Sequence, residues 1–310
     1  MNKCPKISVI VPVYNNEGSL PLLWEALLQL EKKLRELSVE LQMIFVDDGS
    51  SDQSLKLLLD FKSNRQDIKV VKLTRNFGAV HCSKTGMRFV EGDAFTIIAA
   101  DLQDPPELIE EMVKRWLNGS KFTICERSGR QDPFMTKLFA KIYYFLIRKL
   151  VIKNYPKGGF DMALMDKVML QPLVQSSKSV YTPLLAYWLG YRPEVIQYHR
   201  APRAHGKSQW TFMKKLRAFL DVMLGFSVTP VRFISSIGAL VAFISFGYGF
   251  SVFVHAIYNK IPVPGFATLV TLLTFLLGLI ILMLGILGEY LIRIFNDTNL
   301  RPEVVIDNIW

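Results

Sequence analysis

The sequence predicts an α/β protein whose mostly parallel sheet carries helices on both faces and is followed by two membrane-crossing helices. Three observations predict it. Short β-branched apolar runs alternate with stretches of helical periodicity over the first 125 residues, the pattern of repeated strand–helix units. Each of the first four runs stops on a cluster of polar residues, as strands do where an α/β sheet opens to a ligand. Two apolar runs, 233–254 and 266–288, are each long enough to cross the ~30 Å hydrocarbon core of a bilayer.

The elements follow in order. Residues 7–11 form a strand, and leucines at helical spacing over 20–37 form a helix with Pro21 in its first turn. A strand at 42–46 leads to Ser50, Ser51 and Asp52, which cap a helix through Phe61. A strand at 70–73, a helix at 79–90, a strand at 95–100, a helix from Pro106 and a strand at 122–125 complete the series. The most informative stretch is Ala99-Ala100-Asp101-Leu102-Gln103-Asp104-Pro105-Pro106, a buried strand that delivers carboxylate and amide oxygens to a loop. Such oxygens suit a hard cation held partly by a substrate's phosphates. The plainer alternative is a strand-to-helix turn with Asp104 as the cap.

Residues 134–151 and 210–224 mix aromatic and aliphatic side chains with lysine and arginine, as basic helices lying in the headgroup plane do. For the first, core packing with a solvated basic face is the alternative. Lys214, Lys215, Arg217 and Arg232 precede the first apolar run, Arg293 and Arg301 follow the second, and the link between them has only Lys260. The positive-inside rule then puts both ends of the chain in the cytoplasm. The expected organisation is a catalytic domain at 1–207, interfacial helices at 208–231, two spans within 232–290 and a cytoplasmic tail at 291–310. Residues 1–6 run into a strand without a signal peptide. Cys4, Cys82 and Cys125 lack a paired or metal-binding spacing and fit a reducing compartment. The net charge of +10 suits a phosphate-bearing partner, anionic lipid or nucleotide, and no nucleic-acid module is recognisable.

Four loops share one rim: Tyr14-Asn15-Asn16-Glu17, Asp47-Asp48-Gly49-Ser50-Ser51-Asp52, Arg75-Asn76-Phe77-Gly78 and Asp101-Leu102-Gln103-Asp104. The crevice between them fits a nucleotide, with the Tyr14 ring to stack on a base and the Asp48 carboxylate to hydrogen-bond it. Neither a Walker A loop nor a G-x-G-x-x-G fingerprint occurs, which leaves ATPase and dinucleotide chemistry unsupported.

Pro-Val-Tyr-Asn, Val-Asp-Asp-Gly-Ser, Arg-Asn-Phe-Gly and Asp-Leu-Gln-Asp-Pro-Pro-Glu-Leu stand in the order and spacing of the inverting family-two glycosyltransferases of the GT-A, Rossmann-like fold. The chain resembles their polyprenyl-phosphate branch over nearly its whole length, through Arg200-x-x-Arg203-x-x-Gly206-x-Ser208-x-Trp210, Gly288-Glu289-Tyr290 and Arg301-Pro302-Glu303. That branch includes the bactoprenol glucosyltransferases and dolichol-phosphate mannosyltransferase.

The resemblance implies inverting transfer of a sugar from a nucleotide-diphosphate sugar, UDP-glucose or another UDP-hexose first, to a polyprenyl phosphate such as undecaprenyl phosphate. The place implied is the cytoplasmic face of a bacterial inner membrane. It implies a donor site of Pro12, Tyr14, Asn15, Glu17, Asp47, Asp48, Arg75, Asn76 and Gly78. Asp101 and Gln103 would hold Mg²⁺ or Mn²⁺. Arg127, Arg130, Arg200, Arg203, Lys207 and Ser208 would meet the acceptor phosphate and the diphosphate. Asp161 sits where the bactoprenol enzymes have an acidic residue proposed as base, although it could equally orient a sugar hydroxyl or fix an arginine. Asp166 is expected on a helix surface.

One departure stands out: Ala99 occupies the place of the first aspartate of the family's Asp-x-Asp, which should weaken the metal site. A GDP-mannose-using enzyme and a catalytically weakened membrane scaffold remain alternatives. A processive synthase would need a Gln-x-x-Arg-Trp element and more spans. The oligomeric state is left open between a single copy and a homo-oligomer.

Overall fold

A computed structural model describes residues 4–65, 67–127, 134–178, 180–198, 223, 226, 229–258, 265–299 and 301–310; for 134–140 only the backbone is described. The chain divides into two compact units, Met1–Phe219 together with Arg301–Trp310, and Leu220–Leu300.

In the first unit, the strands are β1 (Lys6–Val13), β2 (Glu40–Asp47), β3 (Lys69–Leu73), β4 (Ala94–Ile97), β5 (Phe122–Arg127), β6 (Met162–Asp166), β7 (Glu194–Tyr198) and β8 (Ile306–Ile309). Its helices are α1 (Leu20–Glu36), α2 (Ser54–Asn64), α3 (Ala79–Met87), α4 (Glu107–Leu117), α5 (Phe134–Leu150), α6 (Leu170–Val174) and α7 (Thr182–Trp188). One sheet runs in the order β7-β5-β6-β4-β1-β2-β3-β8.

The central strands are apolar on both faces because both are covered. Ile7, Val9, Val11 and Val13 of β1 face a cluster with Leu23, Leu27 and Leu34 of α1 and Ile109 and Met112 of α4. The alternate residue Ile10 faces the second cluster, with Cys82 and Met87 of α3 and Leu173 of α6. Asp52 accepts from the Ser54 N–H at 2.9 Å, so it does help start α2.

Four strand pairs are parallel and three antiparallel, so the mostly parallel sheet expected from the first 125 residues acquires a mixed half. β6 inserts antiparallel between β4 and β5, and β8 lies antiparallel on β3. Two expectations need correction. Asp166 is not on a helix surface: it ends β6, accepts from Val168 N–H at 3.0 Å and holds Trp116 Nε1 at 2.9 Å. The stretch after the second apolar run is not merely a tail, since residues 301–310 belong to the first unit and supply its edge strand.

The second unit contains α8 (Thr229–Tyr258) and α9 (Phe266–Thr298). A Cβ added at Gly238 of α8 would collide with the Met283 side chain of α9, so the helices approach closely there. α9 runs ten residues beyond the expected 288. Among the described residues, Phe275–Thr298 is the stretch long and apolar enough to cross a membrane, with a mean hydropathy of 2.4 and no buried share. Most of the expected interfacial stretch at 208–231 lies outside the described residues.

Candidate active site

Strand direction gathers the described candidates onto one edge. β1 to β5 and β7 end there, and the antiparallel β6 and β8 begin there. From β1 the chain winds one way through β2 and β3, then turns back to place β4 on the other side of β1. That reversal opens a crevice between the β1 and β4 loops, the usual ligand position in an open α/β sheet. The Tyr14 and Asp101 loops flank it.

On the β2–β3 side the loops are latched together. Asn15, at φ +51°, accepts from Ser51 N–H at 2.9 Å, while its own N–H reaches Ser50 Oγ at 3.1 Å. Glu17 accepts from Gln53 N–H at 2.9 Å and donates its N–H to Asp52 at 3.1 Å. Asp48 is buried and turned towards the third loop, accepting from Phe77 N–H at 2.8 Å and Gly78 N–H at 2.9 Å. Both of its oxygens therefore hold the backbone of the 75–78 loop. Burial pushes the carboxyls of Asp47 and Asp48 above their usual range. Asp47 accepts from Ser50 N–H at 3.3 Å, and its Oδ1 is buried without a hydrogen-bond partner among the described residues. Gly49 has φ +71°, and a Cβ there would stand 2.6 Å from the Arg75 carbonyl carbon; only glycine lets the two loops meet. Pro12 lies in β1 opposite Val46. Tyr14, Arg75 and Asn76 are exposed on the rim, with the Arg75 guanidinium 4.1 Å from the centre of the Phe77 ring.

The β4–β7 side holds a different cluster. Asp101 accepts from Gln103 N–H at 3.3 Å across a turn in which Leu102 has φ +55°. Asp104 does not cap α4. It is buried and accepts the Tyr198 hydroxyl at 2.6 Å, and that hydroxyl also lies 3.1 Å from Asp161 Oδ2. Arg127 grips Asp161 with two N–H groups, Nε to Oδ2 and Nη2 to Oδ1, the latter at 2.7 Å. Burial pushes Asp104 up to about 6; Tyr198 opposes the rise and the charge of Asp161 adds to it. Burial likewise raises the Tyr198 phenol, which its hydrogen bond to Asp104 raises further. Burial works against the charge of Arg127, and the Asp161 contact more than restores it. Glu126 ties β5 to the loop before β6 and to β7, accepting from Gly158 N–H at 3.1 Å and Gln197 Nε2 at 2.9 Å.

Of the predicted acceptor residues, Arg127 joins Asp161 here. Arg130, Arg200, Arg203, Lys207 and Ser208 lie outside the described residues. Sequence reasoning missed Tyr198 and the buried role of Asp104. The only hint was Tyr198's place two residues before Arg200, on the inward beat of Val195-Ile196-Gln197-Tyr198.

The family model described as glycosyl transferase family 2 matches residues 8–173, more than half of the chain and nearly all of this rim. The chain belongs to glycosyl transferase family 2. It is therefore a glycosyltransferase, and its family-2 relatives match it from end to end. An uncharacterised glycosyltransferase of Synechocystis is 34% identical, covering 98% of this chain and 96% of its own. The undecaprenyl-phosphate 4-deoxy-4-formamido-L-arabinose transferase of Photorhabdus laumondii is 32% identical, covering 98% and 94%. The bactoprenol glucosyl transferase of Shigella phage SfV is 29% identical, covering 98% of each chain. Among solved structures, glucosyl-3-phosphoglycerate synthase of Mycobacterium tuberculosis, with Mn²⁺, UDP-glucose and phosphoglyceric acid, aligns with a TM-score of 0.47. It is 15% identical and the match covers 71% of this chain and 77% of that one.

The donor set can be tested against the divalent cation that the family-2 resemblance implies. Asp101 and Gln103 offer oxygen donors at the β1/β4 crevice, while Asp104 is committed to Tyr198. Among the described residues no group of three or more His, Cys, Asp or Glu could cage a metal. Two oxygen side chains fit a Mg²⁺-like ion that takes its other ligands from a substrate diphosphate and water, not a closed protein site.

Proposed function

We propose that this glycosyltransferase moves a hexose from a nucleotide-diphosphate sugar, UDP-glucose first among candidates, to a polyprenyl phosphate, inverting the anomeric centre. The observation that carries this reading is the division of the rim. A latched loop system over β1–β3 suits a nucleotide, and over β4–β7 the solvent-accessible Arg127–Asp161 pair, backed by buried Tyr198 and Asp104, suits a second anion. Strands lie about 4.8 Å apart, so β5 and β2, four places apart in the sheet, separate the two halves by roughly 19 Å. The relatives named for bactoprenol and undecaprenyl phosphate support the acceptor class.

The attacking group is a phosphate monoester, already largely dianionic near neutrality because its second pKa is near 6. An oxygen of that phosphate forms the new bond to the anomeric carbon as the bond to the donor's diphosphate breaks, and attack from the opposite face inverts the centre. No proton has to be removed from the nucleophile. Asp161, with its carboxylate spanned by Arg127, is better suited to holding that guanidinium than to acting as a base. A fixed arginine fork matches phosphate oxygens and costs little ordering on binding. Asp101 and Gln103 would hold a divalent cation, which when bound offsets the charge of the departing diphosphate.

α8 and α9 are read as a hairpin through the membrane, with the first unit and residues 301–310 on the cytoplasmic side. Ile142 and Phe145, exposed on α5 beside Lys141 and Lys149, suit contact with the headgroup layer. The test is to incubate purified full-length protein with undecaprenyl phosphate and Mg²⁺ or Mn²⁺, offering UDP-glucose, other UDP-hexoses and GDP-mannose separately. A lipid-linked sugar detected by mass spectrometry supports the reading, and the donor that works names the sugar. Transfer from none of these donors refutes it.

A further inference from the structure

We propose that Glu303 is a positioning residue for the donor side of the site, acting through α3 on the 75–78 loop. The proposal rests on the donor reading above. Glu303 lies in the strap between α9 and β8, and its side chain is 9% exposed. Three side chains along one face of α3 and its C-terminal cap converge on it: His81 Nδ1 at 2.9 Å, Lys84 Nζ at 3.2 Å and Arg88 Nη2 at 3.6 Å. Their spacing, i, i+3 and i+7, stacks them along that face, where without a counter-charge Lys84 and Arg88, four residues apart, would repel one another. Lys84 is the most demanding, with its side chain only 4% exposed; Ser176 O accepts from it at 2.5 Å, and Glu303 supplies its carboxylate. Burial alone would raise the Glu303 carboxyl, but the hydrogen bond from His81 and the charge of Lys84 bring it below its usual range.

The strap is itself firmly placed. β8 pairs with β3, Trp310 and Val70 exchange two backbone hydrogen bonds at 2.8 and 3.1 Å, and Lys178 Nζ donates to Arg301 O. Val304 is buried in the cluster that includes Cys82 and against which Phe77 packs.

The 75–78 loop is held at both ends by this arrangement. At one end Thr74 N–H donates to Val305 O of the strap at 3.0 Å. At the other, Gly78 N–H donates to Asp48, and Gly78 O accepts Cys82 N–H of α3 at 3.0 Å. Glu303 therefore anchors the helix that receives the loop, while its near neighbour Val305 anchors the strand that delivers it. Release of Glu303 lets α3 move under Lys84 repulsion and carries Phe77, Asn76 and Arg75 off their position on the rim.

The experiment uses full-length protein in detergent with Mn²⁺, titrated calorimetrically with UDP and, separately, with GDP, beside donor kinetics. Glu303→Ala should weaken the nucleotide that wild type binds by tenfold or more and raise donor KM by a similar factor, with kcat within threefold. Glu303→Gln, which can still accept from His81, should recover part of the loss. Asp307→Ala cuts the 2.6 Å pair between β8 and Lys72 of β3, just beyond the strap, and should leave nucleotide affinity unchanged. Should Glu303→Ala not fold, His81→Ala removes one contact, leaves Lys84 paired and should weaken the nucleotide about threefold. A folded Glu303→Ala with wild-type affinity, or a His81→Ala with wild-type affinity, overturns the proposal. If wild type binds neither nucleotide and turns over no donor, the donor reading itself falls, and the proposal with it.

Discussion

Tyr198→Phe isolates one hydroxyl in the cluster that sequence reasoning missed. The ring is 6% exposed and packs in the core, so phenylalanine keeps the packing and deletes only the group that bridges Asp104 and Asp161. A hydrogen bond to a charged group is worth about 1.5–3 kcal/mol, and here it leaves behind a carboxylate buried at Asp104. For a unit of this size each kcal/mol moves the melting temperature by roughly 2–4 °C, so a fall of about 3–12 °C is expected. Asp161 still accepts two N–H groups from Arg127, which limits the catalytic loss to the hydroxyl's own share of the orientation. At about 1.4–2 kcal/mol that is roughly a ten- to thirtyfold drop in kcat. Donor KM should not move, because the donor loops leave strands on the other half of the sheet. Steady-state kinetics at saturating acceptor, beside intrinsic-fluorescence melts, measure all three. A variant that melts lower yet keeps kcat within twofold would make Tyr198 a structural tyrosine only, and an unchanged melting temperature would refute the bridge itself.

Four further outcomes are expected. Asp101→Ala should abolish transfer, while Ala99→Asp should lower the Mg²⁺ or Mn²⁺ needed for half-maximal rate; full wild-type activity in excess chelator would remove the metal from the reaction. Arg200→Ala should reduce acceptor efficiency roughly ten- to hundredfold, as loss of a charge-assisted phosphate contact does, whereas Asp48→Ala should chiefly weaken donor binding by freeing Phe77 and Gly78 N–H; the reverse pattern in calorimetry and kinetics would exchange the two halves of the site. Glu31 accepts from Arg65 at 2.5 and 2.7 Å and from Arg35 at 2.8 Å, and the Arg65 bond holds its carboxyl below the usual range. Its stabilisation is complete above the unfolded value near 4.5 and lost as pH falls through the depressed folded value, so Glu31→Gln should lower the melting temperature by several degrees at pH 7.5 and by progressively less in acid. A cysteine at Asn259 should be labelled from outside intact cells and one at Asn308 only after the membrane is opened; labelling of both from one side would dismiss the hairpin.

How much was legible in the sequence depended on how local the signal was. The strand–helix alternation through residue 125 was readable because each central strand is buried on both faces and so carries a continuous apolar run, as in Phe45-Val46 and Phe95. The loops were readable because their polar residues bunch at strand ends. β6 and β8 escaped notice for the opposite reason: β8 exposes most of its side chains, and β6 makes sense only as a strand inserted between two others. Asp104 looked like a helix cap because Pro105 and Pro106 follow it, and only the approach of Tyr198, 94 positions away, shows why it is buried. Asp48 was expected to hydrogen-bond a base, but its two oxygens serve the backbone of the neighbouring loop, a long-range fact that no local pattern carries.

The antiparallel pairing of β8 with β3 also bears on how the protein is made. Lys72 and Asp307 are 235 positions apart, and both long helices lie between them. A ribosome therefore delivers those two apolar helices before it delivers the strand that covers β3. Until then β3 carries a row of unpaired N–H and C=O groups, the kind of open edge that invites pairing with other chains. Closure over so long a loop is entropically costly and slow. Completion of the α/β unit therefore waits until both long helices have been synthesised, and until then the sheet keeps one edge open.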